Sequence, residues 1–170
     1  ILPYKGNRDP LHKPKYYKEI REYLKDAYGA QVVDGQEADD EIGIAQWKAG
    51  KETCIVSIDK DLDMIPGYHY NWVRDHFYYV SLDEANYNFY HQLLVGDRTD
   101  NIPGIDGIGP VKASRALGDI GKDLEYYARV VREEYKRQYE SKWEDALQEV
   151  AQLIWIRREP GKGTDLPLLK

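Results

Sequence analysis

The stretch "LLVGDRTDNIPGIDGIGPVKASRAL", residues 93–117, combines acidic residues, a glycine-rich turn and the start of a helix. Gly107 and Gly109 permit a tight turn, with Ile108 between them, whose backbone N–H groups point outward. Pro110 suits the first position of a helix. A helix N-terminus attracts anions, and Lys112 adds a point charge. The pattern predicts a helix–hairpin–helix that grips a nucleic-acid backbone without reading bases; a purely structural turn between helices is the alternative.

Two pairs of carboxylates lie before this turn. Asp97 and Asp100 are spaced like neighbours on one helical turn, although aspartate is also common in ordinary turns. Asp59 and Asp61 follow "TCIVSI", residues 53–58, which is predicted to be a buried strand of a parallel sheet. Ligands of open α/β sheets bind at the carboxyl ends of such strands. The alternative for this pair is that one acid caps the next helix.

A third acidic cluster opens the segment "EADDEIGIAQWKAG", residues 37–50, which is predicted to be a helix. Glu37 and Asp40, with Asp39 between them, can share a face of that helix. Acids also favour helix N-termini through capping and the helix dipole, so a structural role is the alternative.

The three clusters supply seven carboxylates that an α/β fold could bring to one edge. Without compensation, the electrostatic repulsion between two close carboxylates costs several kcal/mol, and bound divalent cations remove this cost. Oxygen ligands select hard ions such as Mg²⁺ or Mn²⁺. Two such ions ~4 Å apart can activate water and stabilise the leaving oxygen of a phosphodiester. The histidines (His12, His69, His76 and His91) are scattered, so no zinc cluster is predicted.

Composition sets further bounds. The 170 residues, 42% of them hydrophobic, suffice for one domain with a core, and no run approaches the ~20 apolar residues of a membrane span. The single cysteine, Cys54, suits a reducing cytoplasm. The net charge is −6, but residues 1–25 are basic and residues 34–63 are acidic. A metal site acting on a polyanion would require this division; two solvated faces of opposite charge are the alternative.

The remaining segments predict an α/β fold. A loop is expected over residues 1–14, a helix over 15–28 ending at Gly29, a short strand in "AQVVDG" (30–35), and two short edge strands within 68–81. The order strand, helix, strand implies a right-handed crossover in a parallel sheet. Helical patterns dominate after residue 83, and residues 159–170 are predicted to be a loop or a segment that packs against a neighbour.

The motifs "EADDEIGIAQ", "SIDKDLDMIP" and "GDRTDNIPGIDGIGPVKA", in this order, resemble the structure-specific 5′-nucleases, which include flap endonucleases and bacteriophage 5′–3′ exonucleases. "YKGNR", residues 4–8, resembles the basic segment at the foot of that family's helical arch, and "IWIRREPG" looks most like the phage members. The resemblance implies a PIN-like nuclease core over residues 1–82 and a helical lobe with the hairpin over residues 83–170. It also implies two-metal hydrolysis of DNA from a free 5′ end.

The resemblance assigns roles to individual positions. The family's metal-ligand positions correspond to Glu37, Asp39, Asp40, Asp59, Asp61, Asp97 and Asp100. Its phosphate-contacting positions correspond to Lys5 and Arg8. Its duplex-binding loop corresponds to Gly107–Lys112, where members often hold K⁺ through backbone oxygens. Two aspartates that members carry on earlier elements, and their first strand, have no counterpart here.

The resulting hypothesis is a Mg²⁺-dependent 5′–3′ exonuclease or flap endonuclease, of which this chain is the carboxyl-terminal part, possessing an incomplete sheet and relying on a separate amino-terminal piece. One rival is a non-catalytic DNA-binding module that keeps the hairpin without completing the metal site. Another is a ribonuclease of the wider PIN group, whose members generally lack the hairpin.

Overall fold

The computed structural model of the chain describes residue 3, residues 5 and 6, and residues 13–161. Its helices are α1 (Tyr17–Tyr28), α2 (Ala38–Ala49), α3 (Leu82–Val95), α4 (Pro110–Leu117), α5 (Leu124–Tyr139) and α6 (Trp143–Ile154). Its strands are β1 (Cys54–Val56), β2 (Gly67–Asn71), β3 (His76–Val80), β4 (Gly96–Asp97) and β5 (Ile102–Pro103). Short 3₁₀ turns cover Gly50–Glu52, Lys60–Met64 and Glu140–Lys142.

The three-stranded sheet has the order β1-β2-β3, with β1 and β2 parallel and β2 and β3 antiparallel. The α/β class and the two short strands within residues 68–81 are therefore confirmed. The sheet is mixed rather than purely parallel, because β2 and β3 form a hairpin. The 3₁₀ turn Lys60–Met64, and not an α-helix, connects the parallel pair.

One predicted strand is absent, and another is present as a parallel strand but lacks the predicted burial. Residues 30–35 form an irregular segment with Val32 44% exposed, and no strand among the described residues pairs with it. A strand needs a ladder partner, and β-branched composition alone does not supply one. In "TCIVSI" only Ile55 is buried, whereas Val56 is 59% and Ile58 is 56% exposed. Successive side chains of a strand point to opposite faces, and only the face of Ile55 is covered.

The uncovered face of this sheet is named here the outer sheet face. It comprises alternate residues of the three strands, which the pairing register aligns: Cys54, Val56, Tyr68, Tyr70, Phe77 and Tyr79. Its aromatic rings contact one another, with ring centroids 5.3 Å apart for Tyr68 and Phe77 and 5.1 Å apart for Tyr68 and Tyr79. Phe77 remains 60% exposed.

The main core belongs to the helices. Ser81 and Glu84 form a capping box that starts α3, and α3 then packs against α4, α5 and α6. The Tyr135 hydroxyl donates to the Leu93 carbonyl at 2.9 Å, so the only polar atom of this fully buried side chain is satisfied. A second, smaller cluster lies under the sheet and consists of Ile55, Leu62, Ile65 and Ile156.

Beyond α3 the chain crosses itself closely. Gly96 has a φ of 72°, and a Cβ atom on it would lie 2.3 Å from the Gly104 nitrogen. A Cβ atom on Gly104 would lie 2.3 Å from the Val95 carbonyl. The pair β4–β5 can therefore form only with glycine at both positions, and it places Asp97 opposite Ile102.

The remaining helices agree with the sequence patterns. The helix predicted over residues 15–28 is α1, and Gly29 caps it in the left-handed conformation. Pro110 occupies the first turn of α4, and Gly118 ends it. Residues 159–161 are irregular, as predicted, whereas most of the loops predicted over residues 1–14 and 159–170 lie outside the described residues. None of the described helices is long and apolar enough to cross a membrane.

Candidate metal centre and duplex-binding loop

Asp59 and Asp61 stand where β1 gives way to the 3₁₀ turn. Asp59 precedes the turn and accepts a hydrogen bond from the Asp61 backbone N–H at 3.0 Å, while the Asp59 N–H donates to Ser57 Oγ at 3.0 Å. Asp59 therefore caps the turn, which is the structural alternative raised for this pair. Capping occupies one lone pair of one carboxylate oxygen, so a cap can also be a ligand.

Asp61 and Asp97 are joined through one amide side chain of α3. Gln92 Nε2 donates to Asp61 Oδ1 at 3.1 Å and to Asp97 Oδ2 at 3.4 Å. The Lys60 Nζ lies 3.9 Å from Asp61 Oδ1 and 3.8 Å from Asp97 Oδ2. Burial, followed by repulsion from Asp59 and Asp97, raises the pKa of Asp61 to about 6, although Lys60 opposes the shift.

Asp97 is 5% exposed and lies in β4. Its Oδ1 accepts the backbone N–H groups of Thr99 at 2.7 Å and Asp100 at 3.4 Å. The spacing of Asp97 and Asp100 therefore reflects an ordinary turn and not a helical one. The turn forms because an aspartate side chain can replace a backbone acceptor two residues on.

The carboxylates of the first cluster have separate partners. Glu37 is the N-cap residue of α2, and its Oε1 lies 3.1 Å from Lys5 Nζ. Asp40 Oδ1 accepts the Arg157 backbone N–H at 2.9 Å, and its Oδ2 lies 3.7 Å from Arg157 Nε. Burial, repulsion from Asp59 and then repulsion from Glu37 raise the pKa of Asp39. Asp39 thus links the first cluster to the second.

Lys5 links the first cluster to the third. Its Nζ lies 3.1 Å from Glu37 and 3.7 Å from Asp100 Oδ2, and its backbone N–H donates to the Asp100 carbonyl at 2.8 Å. Arg8, the other predicted phosphate-contacting residue, lies outside the described residues.

The seven acidic residues thus form one electrostatically linked group in which lysines lie between carboxylates. Within the part of the chain that the structure describes, no three acidic, histidine or cysteine side chains are close enough together to hold an ion as they stand. The donor chemistry nevertheless fits a hard divalent ion, because every donor is a carboxylate oxygen. Burial first, and repulsion from neighbouring carboxylates after it, raise the pKa values of Asp39 and Asp61. The described histidines are at other places: His69 is buried in β2, His76 is in β3, and His91 contacts the Pro110 carbonyl.

The glycine hairpin presents its backbone to solvent. The Ile108 N–H donates to the Ile105 carbonyl at 3.0 Å across a turn in which Gly107 has a φ of 73°. A Cβ atom on Gly107 or Gly109 would meet nothing within 4 Å. Lys112 Nζ donates to the Gly107 carbonyl at 2.7 Å. Ile108 packs against the helical core and anchors the turn.

Several residues of this region were not found from the sequence. Gln92 bridges two carboxylates, Lys60 lies between the same two, and Arg157 holds Asp40. The lysine in "DKDLD" was a visible signal, since it alternates with acids. No sequence signal pointed to Gln92 or Arg157, because their contacts depend on the packing of α3 and of the segment after α6.

The sequence comparisons give a consistent result. The chain is 31% identical to flap endonuclease Xni of Pectobacterium atrosepticum over 168 residues, covering 86% of the chain and 64% of the relative. It is 30% identical over 146 residues to DNA polymerase I of Caldicellulosiruptor bescii, covering 73% of the chain and 17% of that polymerase. No protein-family profile matches the chain.

The structural comparisons give the fold. The bacteriophage T5 5′-exonuclease with bound zinc superposes with a TM-score of 0.53 at 20% identity, over 89% of this chain and 75% of that one. The T5 flap endonuclease in complex with DNA and metal ions superposes with a TM-score of 0.52 at 20% identity, over the same shares, 89% and 75%. The chain therefore has the α/β fold of these phage nucleases. The chain is similar in sequence to the proteins named flap endonuclease Xni and DNA polymerase I, and it spans 64% of the length of the Pectobacterium atrosepticum relative.

Proposed function

We propose that this chain is part of a divalent-metal-dependent 5′–3′ exonuclease or flap endonuclease that hydrolyses DNA phosphodiesters. The observation that carries the proposal is that carboxylates from three separate segments interact electrostatically, in a chain that also has a solvent-facing glycine hairpin. One feature suits the ions that promote hydrolysis, and the other suits the phosphate backbone.

The acidic group would hold the ions, as Mg²⁺ or Mn²⁺. The proposed ligands are Glu37, Asp39, Asp40, Asp59, Asp61, Asp97 and Asp100. Bound ions supply an activated water and stabilise the leaving oxygen of a phosphodiester. Asp40, on α2, and Asp59, which precedes the turn after β1, are proposed as the residues on which the chemistry most depends. Lys5 already lies between Glu37 and Asp100, and with Arg8 it would contact the reacting phosphate.

The hairpin would bind the duplex. Gly107 and Gly109 would present backbone amides to a phosphate, while Ile108 holds the turn in place between them, and α4 leaves its first amides without acceptors within the helix. Lys112 contributes a positive charge in addition to its contact with the Gly107 carbonyl. A K⁺ ion coordinated by backbone oxygens of this turn would replace that contact. A 5′ end or a flap on duplex DNA is the proposed substrate, in a bacterial or phage-infected cytoplasm.

A further polypeptide piece is proposed as a partner. It would cover the outer sheet face, where Val56 is 59% and Phe77 is 60% exposed, and would add carboxylates to the metal centre. A sheet with a strand pair like β1–β2 normally carries cover on both faces. The proposed boundary between the nuclease core and the helical lobe, between residues 82 and 83, lies at the start of α3. The two parts still pack together, because Met64 belongs to the helical core and Ile156 belongs to the cluster under the sheet.

A DNA-binding fragment without catalysis is the second candidate. It is favoured by the separation of the carboxylates, since no three described residues of the ligating types are close enough to hold an ion. This candidate predicts that the chain binds duplex DNA through the hairpin and that divalent ions have no effect beyond salt screening.

The deciding experiment measures degradation of a 5′-labelled duplex with a flap during titration of Mg²⁺ or Mn²⁺. The proposal predicts metal-dependent release of 5′ products that Asp59→Asn abolishes, while the matched variant Asp26→Asn in α1 behaves as wild type. Gly109→Ala should weaken duplex binding and leave the metal dependence unchanged. If the chain binds the duplex but never cleaves it, even with an added amino-terminal nuclease piece, the binding-fragment candidate replaces the enzyme.

A further inference from the structure

The segment Trp155–Arg158 follows α6 and passes directly beside the acidic residues. The Arg157 backbone N–H donates to Asp40 Oδ1 at 2.9 Å, and its guanidinium Nε lies 3.7 Å from Oδ2. Ile156 is buried in the cluster under the sheet, next to the strand and turn that carry the second acidic cluster. The segment therefore contacts Asp40 and the base of the turn at once.

Arg158 fastens the same segment to the turn itself. It is 7% exposed, and its Nε and Nη2 donate to the Met64 carbonyl at 3.2 and 2.7 Å. Its Nη1 donates to Asn86 Oδ1 on α3 at 2.9 Å, and its guanidinium lies 4.7 Å from the Trp155 ring centroid. Met64 ends the 3₁₀ turn that contains Asp61. Three nitrogen donors of the planar Arg158 guanidinium group therefore hold the turn in place relative to α3.

Close packing against α2 fixes the segment on its other side. A Cβ atom on Gly43 would lie 2.2 Å from the Arg157 carbonyl oxygen and 3.2 Å from Ile156 Cγ2. Only glycine allows α2 to approach this backbone so closely. The helix that carries Asp39 and Asp40 therefore cannot move relative to the segment without breaking the contact.

We infer that Trp155–Arg158 is a positioning segment for the metal centre, which is an inference that rests on the proposed function. It orients Asp40 through the Arg157 main chain and holds the turn of Asp59 and Asp61 through Arg158. Groups that hydrogen-bond to metal ligands, and so orient them, typically affect metal affinity or activity about 10- to 100-fold. The segment acts on the carboxylates and not on the substrate.

The test compares direct Mn²⁺ binding, followed by electron paramagnetic resonance of the free ion, with cleavage kinetics of the 170-residue chain. Arg158→Lys loses the planar fork and Gly43→Ala displaces the Arg157 main chain, so each should weaken Mn²⁺ binding and lower kcat about 10-fold or more. The KM for duplex should change less than about twofold, because the hairpin is untouched. Arg157→Ala keeps the N–H donor and should weaken Mn²⁺ binding by less than about threefold, since a half-exposed ion pair contributes little.

Arg137→Lys is the control for the same substitution at an exposed site, where Arg137 pairs with Glu134 at 2.7 Å. Thermal unfolding of every variant shows whether Mn²⁺ binding was measured on folded protein. If Gly43→Ala fails to fold, Arg158→Lys decides alone. If the Arg158→Lys and Gly43→Ala variants are less stable to heat but keep wild-type Mn²⁺ affinity and kcat, the segment has only a structural role and the inference is overturned. If wild-type protein binds no Mn²⁺, either alone or with an added amino-terminal nuclease piece, the proposed function fails, and this inference fails with it.

Discussion

The helical region formed by α3–α6 and the sheet region formed by α2 and β1–β3 differ sharply in how much apolar surface they bury. The helical region contains the large core, in which Phe89, Leu93 and Tyr135 have no exposed surface. The sheet region has one small cluster, and Phe77 on its outer face is 60% exposed. Since hydrophobic burial is the dominant favourable term in folding, most of the stability resides in the helical region.

The difference separates the two proposed tasks. The hairpin is built on the stable region, and Ile108 anchors it to the large core. The acidic residues lie at the junction of the two regions, and several of them are carried by elements of the weaker one. Duplex binding should therefore tolerate destabilisation of the sheet region, whereas metal binding should not.

The largest expected effect comes from the two phenylalanines of the chain. Phe89→Ala should lower the free energy of unfolding by about 3–5 kcal/mol, because it leaves a cavity in the main core. Phe77→Ala, on the outer sheet face, should change it by less than about 0.5 kcal/mol. Urea unfolding followed by circular dichroism measures both. Equal losses would mean that the outer sheet face is buried in solution and would break the comparison.

The crossing of β4 and β5 gives the next effect. Gly104→Ala should cost about 1–3 kcal/mol, because the new Cβ atom would lie 2.3 Å from the Val95 carbonyl. Gly109→Ala is the matched control, since its φ is −94° and its Cβ atom would meet nothing within 4 Å. Thermal unfolding that ranks these variants in the opposite order would contradict the close approach of the two segments.

Tyr135→Phe tests a single buried hydrogen bond of the helical region. Loss of the hydroxyl leaves the Leu93 carbonyl without this donor and should cost about 1 kcal/mol. Tyr79→Phe removes a hydroxyl from the outer sheet face, where Tyr79 is 47% exposed, and should be close to neutral. Chemical denaturation distinguishes them, and a neutral Tyr135→Phe would show that the Leu93 carbonyl is satisfied otherwise.

The smallest effect is a dependence of stability on pH in metal-free protein. The pKa of Asp61 is raised to about 6, mainly by burial and then by Asp59 and Asp97, from an ordinary value of 3.8. The folded state therefore binds more protons than the unfolded state in this window, and stability should rise as the pH falls from 7 to 5. After a discount for solvent screening, the gain should be about 1 kcal/mol or less.

Asp61→Asn serves as the reference for this pH effect. The difference between wild type and variant, followed by urea unfolding at pH 7 and pH 5, isolates the contribution of this carboxyl. Stability that falls over the same window in wild type but not in Asp61→Asn would contradict the sign. Saturating Mg²⁺ should remove the effect, because a bound cation favours the charged carboxylates.

Local patterns predicted much of this molecule. The helices α1, α2 and α4 were predicted with their glycine stops, because caps and turns are decided by neighbouring residues. Two short strands were predicted in the aromatic-rich stretch that forms β2 and β3, and their antiparallel pairing was not predicted. The prediction of a strand in "AQVVDG" was wrong, and β1 is largely exposed although it was predicted to be buried. Both differences arise because the pairing and burial of strands depend on distant parts of the chain.

The candidate site shows the same limit. The acidic residues were identified from spacing, and their convergence on one metal site stays a prediction. Asp59 contributes to the raised pKa of Asp39, and Asp97 contributes to that of Asp61, in each case after burial. The bond from Arg157 to Asp40 joins residues 117 positions apart. No local pattern specifies such a contact, since it exists only after α6 has packed against the other helices.

Crystals of the chain soaked in Mn²⁺ test the central claim most directly, because anomalous scattering locates the ion without reference to activity. The account predicts anomalous peaks with oxygen atoms from at least two of the three acidic clusters within about 2–2.5 Å, and with the Lys60 or Lys5 ammonium displaced. Peaks confined to a single cluster, or no peak among Asp40, Asp59 and Asp97 at saturating Mn²⁺, would contradict it.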